Sequence, residues 1–158
     1  MSPSHFLIGE EYSLVMEIAT SRVEFSDEAI ALLQKLKAIH GGGFMFHQSG
    51  GCCDGSAPMC YTAGEFRVGG QDVLMAEIDV EGMDAPIPFY MSKEQFEYWR
   101  HTHLTIDAVD GRGSGFSLEA PEGKRFITRS RVFSDDEFHY FEAQPVVLGD
   151  GTEMKKSA

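Results

Sequence analysis

Every thiol in the chain sits in one short glycine-rich segment, and that segment limits the kind of fold that can surround it. Residues 44–61 read Phe-Met-Phe-His-Gln-Ser-Gly-Gly-Cys-Cys-Asp-Gly-Ser-Ala-Pro-Met-Cys-Tyr and hold Cys52, Cys53 and Cys60, the three cysteines of the 158-residue sequence. Phe44-Met45-Phe46 is a short apolar run that ends at turn residues, which predicts a buried strand leading into the turn. Gly50, Gly51 and Gly55 let the backbone take positive φ and leave little bulk around the sulfurs. A rigid strand and a permissive cysteine turn must therefore be neighbours, with His47 and Asp54 close by in sequence.

The flanking patterns predict one α+β domain, a twisted and mostly antiparallel sheet or small β-sandwich with two helices. Residues 1–22 read as an N-terminal extension with an edge-strand pattern at 12–19. The globular domain is expected over 23–148, and 149–158 reads as a flexible tail. Val23-Glu24-Phe25 is a short strand entering a helix at the N-cap Ser26, with Asp27 and Glu28 in the first turn. Ala29, Ile30, Leu32, Leu33, Leu36 and Ile39 form its apolar stripe, and three glycines at 41–43 stop it.

Further on, residues 64–68 and 73–78 suggest a strand pair around Gly69-Gly70, followed by a strand at 87–91. Ser92 and Gln95 have capping-box spacing at the start of a second helix that turns Phe96 and Trp99 inward. A strand is expected at 104–109, and a hairpin from 116–118 and 126–127 around the turn at 121–123. After Phe133 the sequence becomes acidic and breaks up at Pro145.

Charge narrows the partners. With 25 acidic and 13 basic side chains the chain carries a net charge of −12, which is unsuited to nucleic acid or an anionic membrane surface. No apolar run approaches the roughly 20 residues of a membrane span, and the N-terminus lacks the pattern of a signal peptide. Three cysteines, two of them adjacent, make a poor secreted disulfide framework, so a cytoplasmic location is expected. The sequence is compatible with self-association.

The chemistry expected of the turn is thiol chemistry. A disulfide between vicinal cysteines needs a distorted peptide, so one between Cys52 and Cys53 would be easily reduced. A lone cysteine is usually a small apolar core residue, but three beside a histidine in a flexible turn are harder to explain by packing. His47, Cys52, Cys53 and Cys60 make up the Cys₃His set that zinc accepts, and an open thiolate site suits iron or copper. Gln48, Ser49 and Asp54 stand by as supporting residues. One alternative is a redox switch or thiol enzyme in which Cys52 or Cys53 is the nucleophile and His47 its base, and another is a purely structural partner protein with neither metal nor reactive thiol. His101 and His103 form a secondary candidate pair. They share a face if the chain there is extended, but near a helix end they simply suit the dipole. Gly111-Arg112-Gly113-Ser114-Gly115 has the glycines of a phosphate loop but no helix after it.

Two stretches of the turn, His47-Gln48-Ser49-Gly50-Gly51-Cys52-Cys53-Asp54-Gly55 and Pro58-Met59-Cys60-Tyr61, resemble the bacterial family called domain of unknown function 779. Pro88-Phe89-Tyr90-Met91-Ser92, Phe96-Glu97-Tyr98-Trp99, the run from Gly115 to Gly123 and Phe126-Ile127-Thr128-Arg129-Ser130-Arg131 extend the resemblance over about residues 23–137. Members tend to be encoded beside aldehyde or alcohol dehydrogenases, which implies an accessory role to such an enzyme. The chain has no nucleotide-binding fingerprint and is too small for an aldehyde dehydrogenase, so it is not expected to be one itself. A looser resemblance, to HesB-like A-type iron–sulfur carriers, rests on the order helix, strand, Gly-Cys turn and a later Gly-Phe strand. It implies an iron–sulfur cluster as another cargo. Those carriers also use a C-terminal Cys-Gly-Cys pair, whereas this chain has no cysteine after Cys60.

Overall fold

The computed structural model describes residues 18–49, 57–111 and 116–154. Its strands are β1 (Val23–Phe25), β2 (Phe44–Gln48), β3 (Met59–Thr62), β4 (Asp72–Ile78), β5 (Ile87–Ser92), β6 (Thr102–Asp110), β7 (Lys124–Val132) and β8 (Val147–Leu148). They form a three-stranded sheet of order β1-β6-β7 and a five-stranded sheet of order β3-β2-β5-β4-β8. The helices are α1 (Asp27–His40), α2 (Lys93–Trp99) and α3 (Asp135–Glu142), with a 3-10 turn at Ala120–Glu122. This is the expected α+β class. Both sheets are mixed, because β1 runs parallel to β6 and β2 parallel to β5, while the other pairings are antiparallel. Among the described residues no helix is long and apolar enough to cross a membrane.

Phe46 holds the two sheets together. Its ring centroid lies 5.2 Å from Phe25 on β1, 5.8 Å from Phe89 on β5 and 5.0 Å from Phe126 on β7. Helix α1 adds Ala29, Leu32, Leu33 and Leu36 to the same core. Its ends follow the sequence. Ser26 Oγ accepts from Ala29 N at 3.1 Å, and Gly41 closes the helix at φ +92°. Ser26 Oγ also donates to Asp107 Oδ1 at 2.6 Å, which ties the start of the helix to β6. Ile39, the last member of the expected stripe, is exposed instead, because the stripe drifts off the core by the final turn.

Several elements differ from the sequence expectation. Residues 64–68 form no strand. Both edges of β4 are taken, by β5 and β8, so a hairpin partner has no place to pair. The Gly69-Gly70 signal reflects close packing: a Cβ on Gly149 would stand only 2.7 Å from Gly69 O. Residues 116–118 are a turn, and β7 pairs along its whole length with β6. Phe116 is therefore not on the later Gly-Phe strand of the carrier-like order.

At α2, Ser92 Oγ accepts from Gln95 N at 3.3 Å, but the return bond of a capping box is not made. Gln95 Oε1 accepts from Trp99 Nε1 at 3.1 Å and from Gln48 Nε2 at 3.3 Å instead. A third helix, α3, stands in the acidic run after Phe133, where the sequence reading named no element. Ser134 Oγ accepts from Glu137 N at 3.2 Å and Glu137 Oε1 accepts from Ser134 N at 2.9 Å, so acid at the helix start is a capping box. Residues 148–154 fold back on the sheet, with Leu148 N donating to Thr152 O at 2.7 Å and Met154 N to Val146 O at 2.8 Å.

Two expected outcomes test this framework. Phe46→Ala removes the ring that joins the sheets and should cost about 3–5 kcal/mol of unfolding free energy in urea titrations. The second concerns Glu137, whose buried carboxylate takes a bidentate grip from Arg131 at 2.7 and 2.9 Å and a further bond from Ala19 N at 2.7 Å. Arg131 chiefly, helped by the Ser134 and Ala19 amides, holds this carboxyl well below the usual carboxylate range against the effect of burial. A depressed carboxylate pKa stabilises the fold above the unfolded value of about 4.3 and loses that contribution as pH falls toward the folded one. Glu137→Gln should therefore be less stable at pH 7 and show a shallower loss of stability below about pH 4.

Candidate functional site

The cysteine turn joins β2 to β3, and the pleat of those two strands decides what can gather around it. The pair is antiparallel, with Phe46 opposite Cys60 and His47 opposite Met59. Cross-strand partners share a face and successive residues alternate, so Cys60 points inward with Phe46 while His47 points outward. Ser49 and Ala57 leave the sheet at the same end. Cys52, Cys53 and Asp54, named as site residues from the sequence, lie outside the described residues.

On the outer face His47 is buried and held at both ring nitrogens. Nε2 lies 2.7 Å from Asp72 Oδ1, and Nδ1 lies 3.0 Å from Ser49 Oγ. Asp72 starts β4, two strands from β2, and reaches His47 across β5 because Leu74 and His47 both stand opposite Tyr90. Its other oxygen accepts from Gly69 N at 3.0 Å, which fixes the carboxylate. Phe66 covers the imidazole, ring centroid to ring centroid 4.4 Å, and stacks on Tyr61 at 4.9 Å. The residues expected to form a strand at 64–68 thus serve as a cover for His47. A carboxylate only accepts, so the neutral imidazole carries its proton on Nε2 and accepts a hydrogen bond from the Ser49 hydroxyl at Nδ1. Ser49 is exposed, so the Nδ1 side of the ring faces the end of the sheet from which the cysteine turn departs.

Cys60 belongs to the other face. It is fully buried in the apolar core, and burial first, then the nearby Glu119 carboxylate, pushes its thiol well above the ordinary value. Its backbone N–H donates to Ser117 Oγ at 2.9 Å and its carbonyl accepts from Leu118 N at 3.0 Å, so residues 117–118 seal the outer edge of β3. Ser117 Oγ in turn donates to the buried Glu119 carboxylate, which also accepts from Phe126 N at 3.2 Å. Burial pushes the Glu119 carboxyl up, with the hydrogen bonds opposing. The structure therefore does not bring Cys60 and His47 together. Gln48 also faces inward, where Thr128 Oγ1 donates to its carbonyl at 2.8 Å and its amide donates to Gln95, a bridge between the sheets and α2.

The histidine pair is also divided. His101 is exposed, 3.8 Å from Glu142 and against the Phe138 ring at 5.0 Å, whereas His103 is buried 3.7 Å from Glu24. Among the described residues no three His, Cys, Asp or Glu side chains gather as a metal-binding group. Sequence reasoning missed Asp72, because a partner 25 residues away on a non-adjacent strand has no local signature.

A family model described as domain of unknown function (DUF779) matches residues 32–132, which include every strand from β2 to β7, the cysteine turn and Asp72. No curated protein matches the chain. The Asp72–His47 contact has a direct readout. Long-range proton–nitrogen spectra of the native protein should show His47 with its proton on Nε2 and a bare Nδ1. Asp72→Asn, which can offer an N–H to the ring, should shift the proton toward Nδ1 in part of the population. An unchanged His47 spectrum in that variant would disprove the contact.

Proposed function

This chain belongs to the domain of unknown function 779 family, and we propose that it serves an aldehyde or alcohol dehydrogenase by holding a thiophilic metal ion or cluster at Cys52, Cys53 and His47. The observation that carries this reading is the Asp72–His47–Ser49 array. A histidine that ligates a metal through one nitrogen commonly gives the other N–H to a carboxylate, which fixes the tautomer and raises its basicity. His47 already gives Nε2–H to Asp72 at 2.7 Å, and among the described residues its Nδ1 is paired only with the exposed Ser49 hydroxyl. Covalent geometry keeps the Cα of Cys52 within about 11 Å of that of Ser49. Cys60 drops out of the donor set, since it faces the opposite side of the sheet, and two thiolates with one imidazole leave an open coordination position. Zinc, iron, copper or an iron–sulfur cluster all accept such donors. The partner dehydrogenase is the role that the family resemblance implies, and the acidic chain suits a protein partner better than a polyanion.

One observation also favours a second reading. A base whose far nitrogen is held by a carboxylate is the arrangement that activates a nucleophile, so His47 with Asp72 is equipped to deprotonate Cys52 or Cys53 in a thiol enzyme or redox switch.

Reconstitution under reducing conditions with zinc, iron and copper in turn, followed by metal analysis, tests the first reading. The wild type should take up one of them in stoichiometric amount, and Cys52→Ser with Cys53→Ser should abolish uptake. Asp72→Asn should weaken affinity by about 10- to 100-fold. Cys60→Ala should keep the metal while losing stability. Stoichiometric metal in the double variant, or a wild type that stays metal-free with all three, would sink the proposal. In that case alkylation rates against pH decide the second reading, which requires an accessible cysteine with a pKa well below about 8.5.

A further inference from the structure

Ser49 is the exposed end of a hydrogen-bonded chain that runs through His47 to Asp72. Its Oγ stands 3.0 Å from His47 Nδ1, His47 Nε2 stands 2.7 Å from Asp72 Oδ1, and Asp72 Oδ2 accepts from Gly69 N at 3.0 Å. All three distances lie within hydrogen-bond range. Because the carboxylate only accepts, the polarity runs one way, from hydroxyl to imidazole to carboxylate. The Nδ1 lone pair is therefore aimed at the Ser49 proton.

The reacting end of this chain is open and the basic end is closed. Ser49 is exposed, while the His47 side chain is 4% and the Asp72 side chain 15% exposed. Phe66 lies over the imidazole with 4.4 Å between ring centroids and shields it from water. Charge developing on that ring would meet the Asp72 carboxylate at short range, where screening by solvent is weak. Nucleophilic serines on unrelated folds are recognised by these roles, hydroxyl on base and base on carboxylate, rather than by order in the sequence.

We propose that Ser49 is a nucleophilic serine that takes the acyl group of small uncharged esters, with His47 as its general base and Asp72 as the positioning residue. Oγ bonds to the carbonyl carbon as its proton passes to Nδ1, and the ester C–O bond breaks as the alcohol leaves with that proton. Water then attacks the acyl-serine and gives its proton to Nδ1, and Ser49 recovers that proton as the acid departs. Ester and water become acid and alcohol, with no oxidant needed. Phe66 over the ring, and Met59 opposite His47 on the same face, supply apolar surface for an uncharged acyl group. The net charge of −12 disfavours anionic acyl donors. This activity does not rest on the metal reading. A metal at Nδ1 takes the same lone pair, so acylation belongs to the metal-free chain.

The test treats the full chain with a chelator, labels it with a fluorophosphonate, in which Oγ displaces fluoride at phosphorus, and maps the adduct by peptide mass spectrometry. Ser49 should react about 100-fold or more faster than the other serines. p-Nitrophenyl acetate should leave an acetyl group at the same position. Ser49→Ala changes an exposed side chain, so it should keep the wild-type circular dichroism and lose the adduct. Asp72→Asn should slow labelling about 100-fold or more and move the imidazole proton toward Nδ1, so rate and spectrum change together. If Asp72→Asn does not fold, the Ser49→Ala comparison decides. A wild-type Ser49 that reacts no faster than the other serines, labelling undiminished in Ser49→Ala, or a folded Asp72→Asn that labels at the wild-type rate would each overturn the assignment.

Discussion

The alternation of side chains along β2 is the constraint from which the rest of the molecule follows. Phe44, Phe46 and Gln48 turn inward and Met45 and His47 outward, all five of them buried. A slip of one residue in the register of this strand would put an imidazole among phenylalanine rings and bring Phe46 to the polar face. The Phe46 contacts with Phe25, Phe89 and Phe126 hold the register, and the His47–Asp72 contact inherits its precision from them. A functional side chain on a strand so anchored is positioned more closely than one on a loop.

Buried carboxylates show how the fold handles charge. Glu137 is buried against Arg131 and two backbone amides, and its carboxyl is held down. Glu119 is buried with a serine and one amide but no cation, and its carboxyl is pushed up. Glu137 has a cation to outweigh its burial, and Glu119 has none, so burial prevails there. One carboxylate fixes α3 to β7, and the other ties residues 117–119 to β3 and β7, behind Cys60. Arg22 does comparable work for the segment that leads into β1. It lies over the rings of Phe96, Phe133 and Phe141 and donates to Arg100 O at 2.7 Å, and burial chiefly lowers its pKa to about 10.

The candidate site residues His47 and His103 consequently stand on outward faces. The five-stranded sheet presents His47 under its Phe66 cover, at the end where the cysteine turn departs, and the three-stranded sheet presents Glu24, His103, Thr105 and Arg129. The inward faces are occupied by packing and by hydrogen bonds that join loops to strands. Cys60 shows the division most clearly. It is a thiol within the cysteine-rich stretch, and its strand partner Phe46 makes it a core residue.

Local signals determined much of this protein from the sequence alone. Ser26, the Leu32-Leu33-Leu36 stripe and Gly41 were enough to bound α1, and the apolar run at 44–46 identified β2, because caps and periodicity act within a few residues. The α+β class and the family resemblance were legible for the same reason. The Ser134–Glu137 capping box was equally local, and the acidic run around it hid the helix. What the tertiary structure alone decided is which residues meet. The parallel β2–β5 pairing, the reach of Asp72 across β5 to His47, and the occupied edges of β4 that displaced residues 64–68 onto the imidazole are contacts between distant segments. Cys60 and His47 are close in sequence but separated by the sheet itself. Proximity along the chain brings donors near, but strand pairing chooses the face on which each one stands.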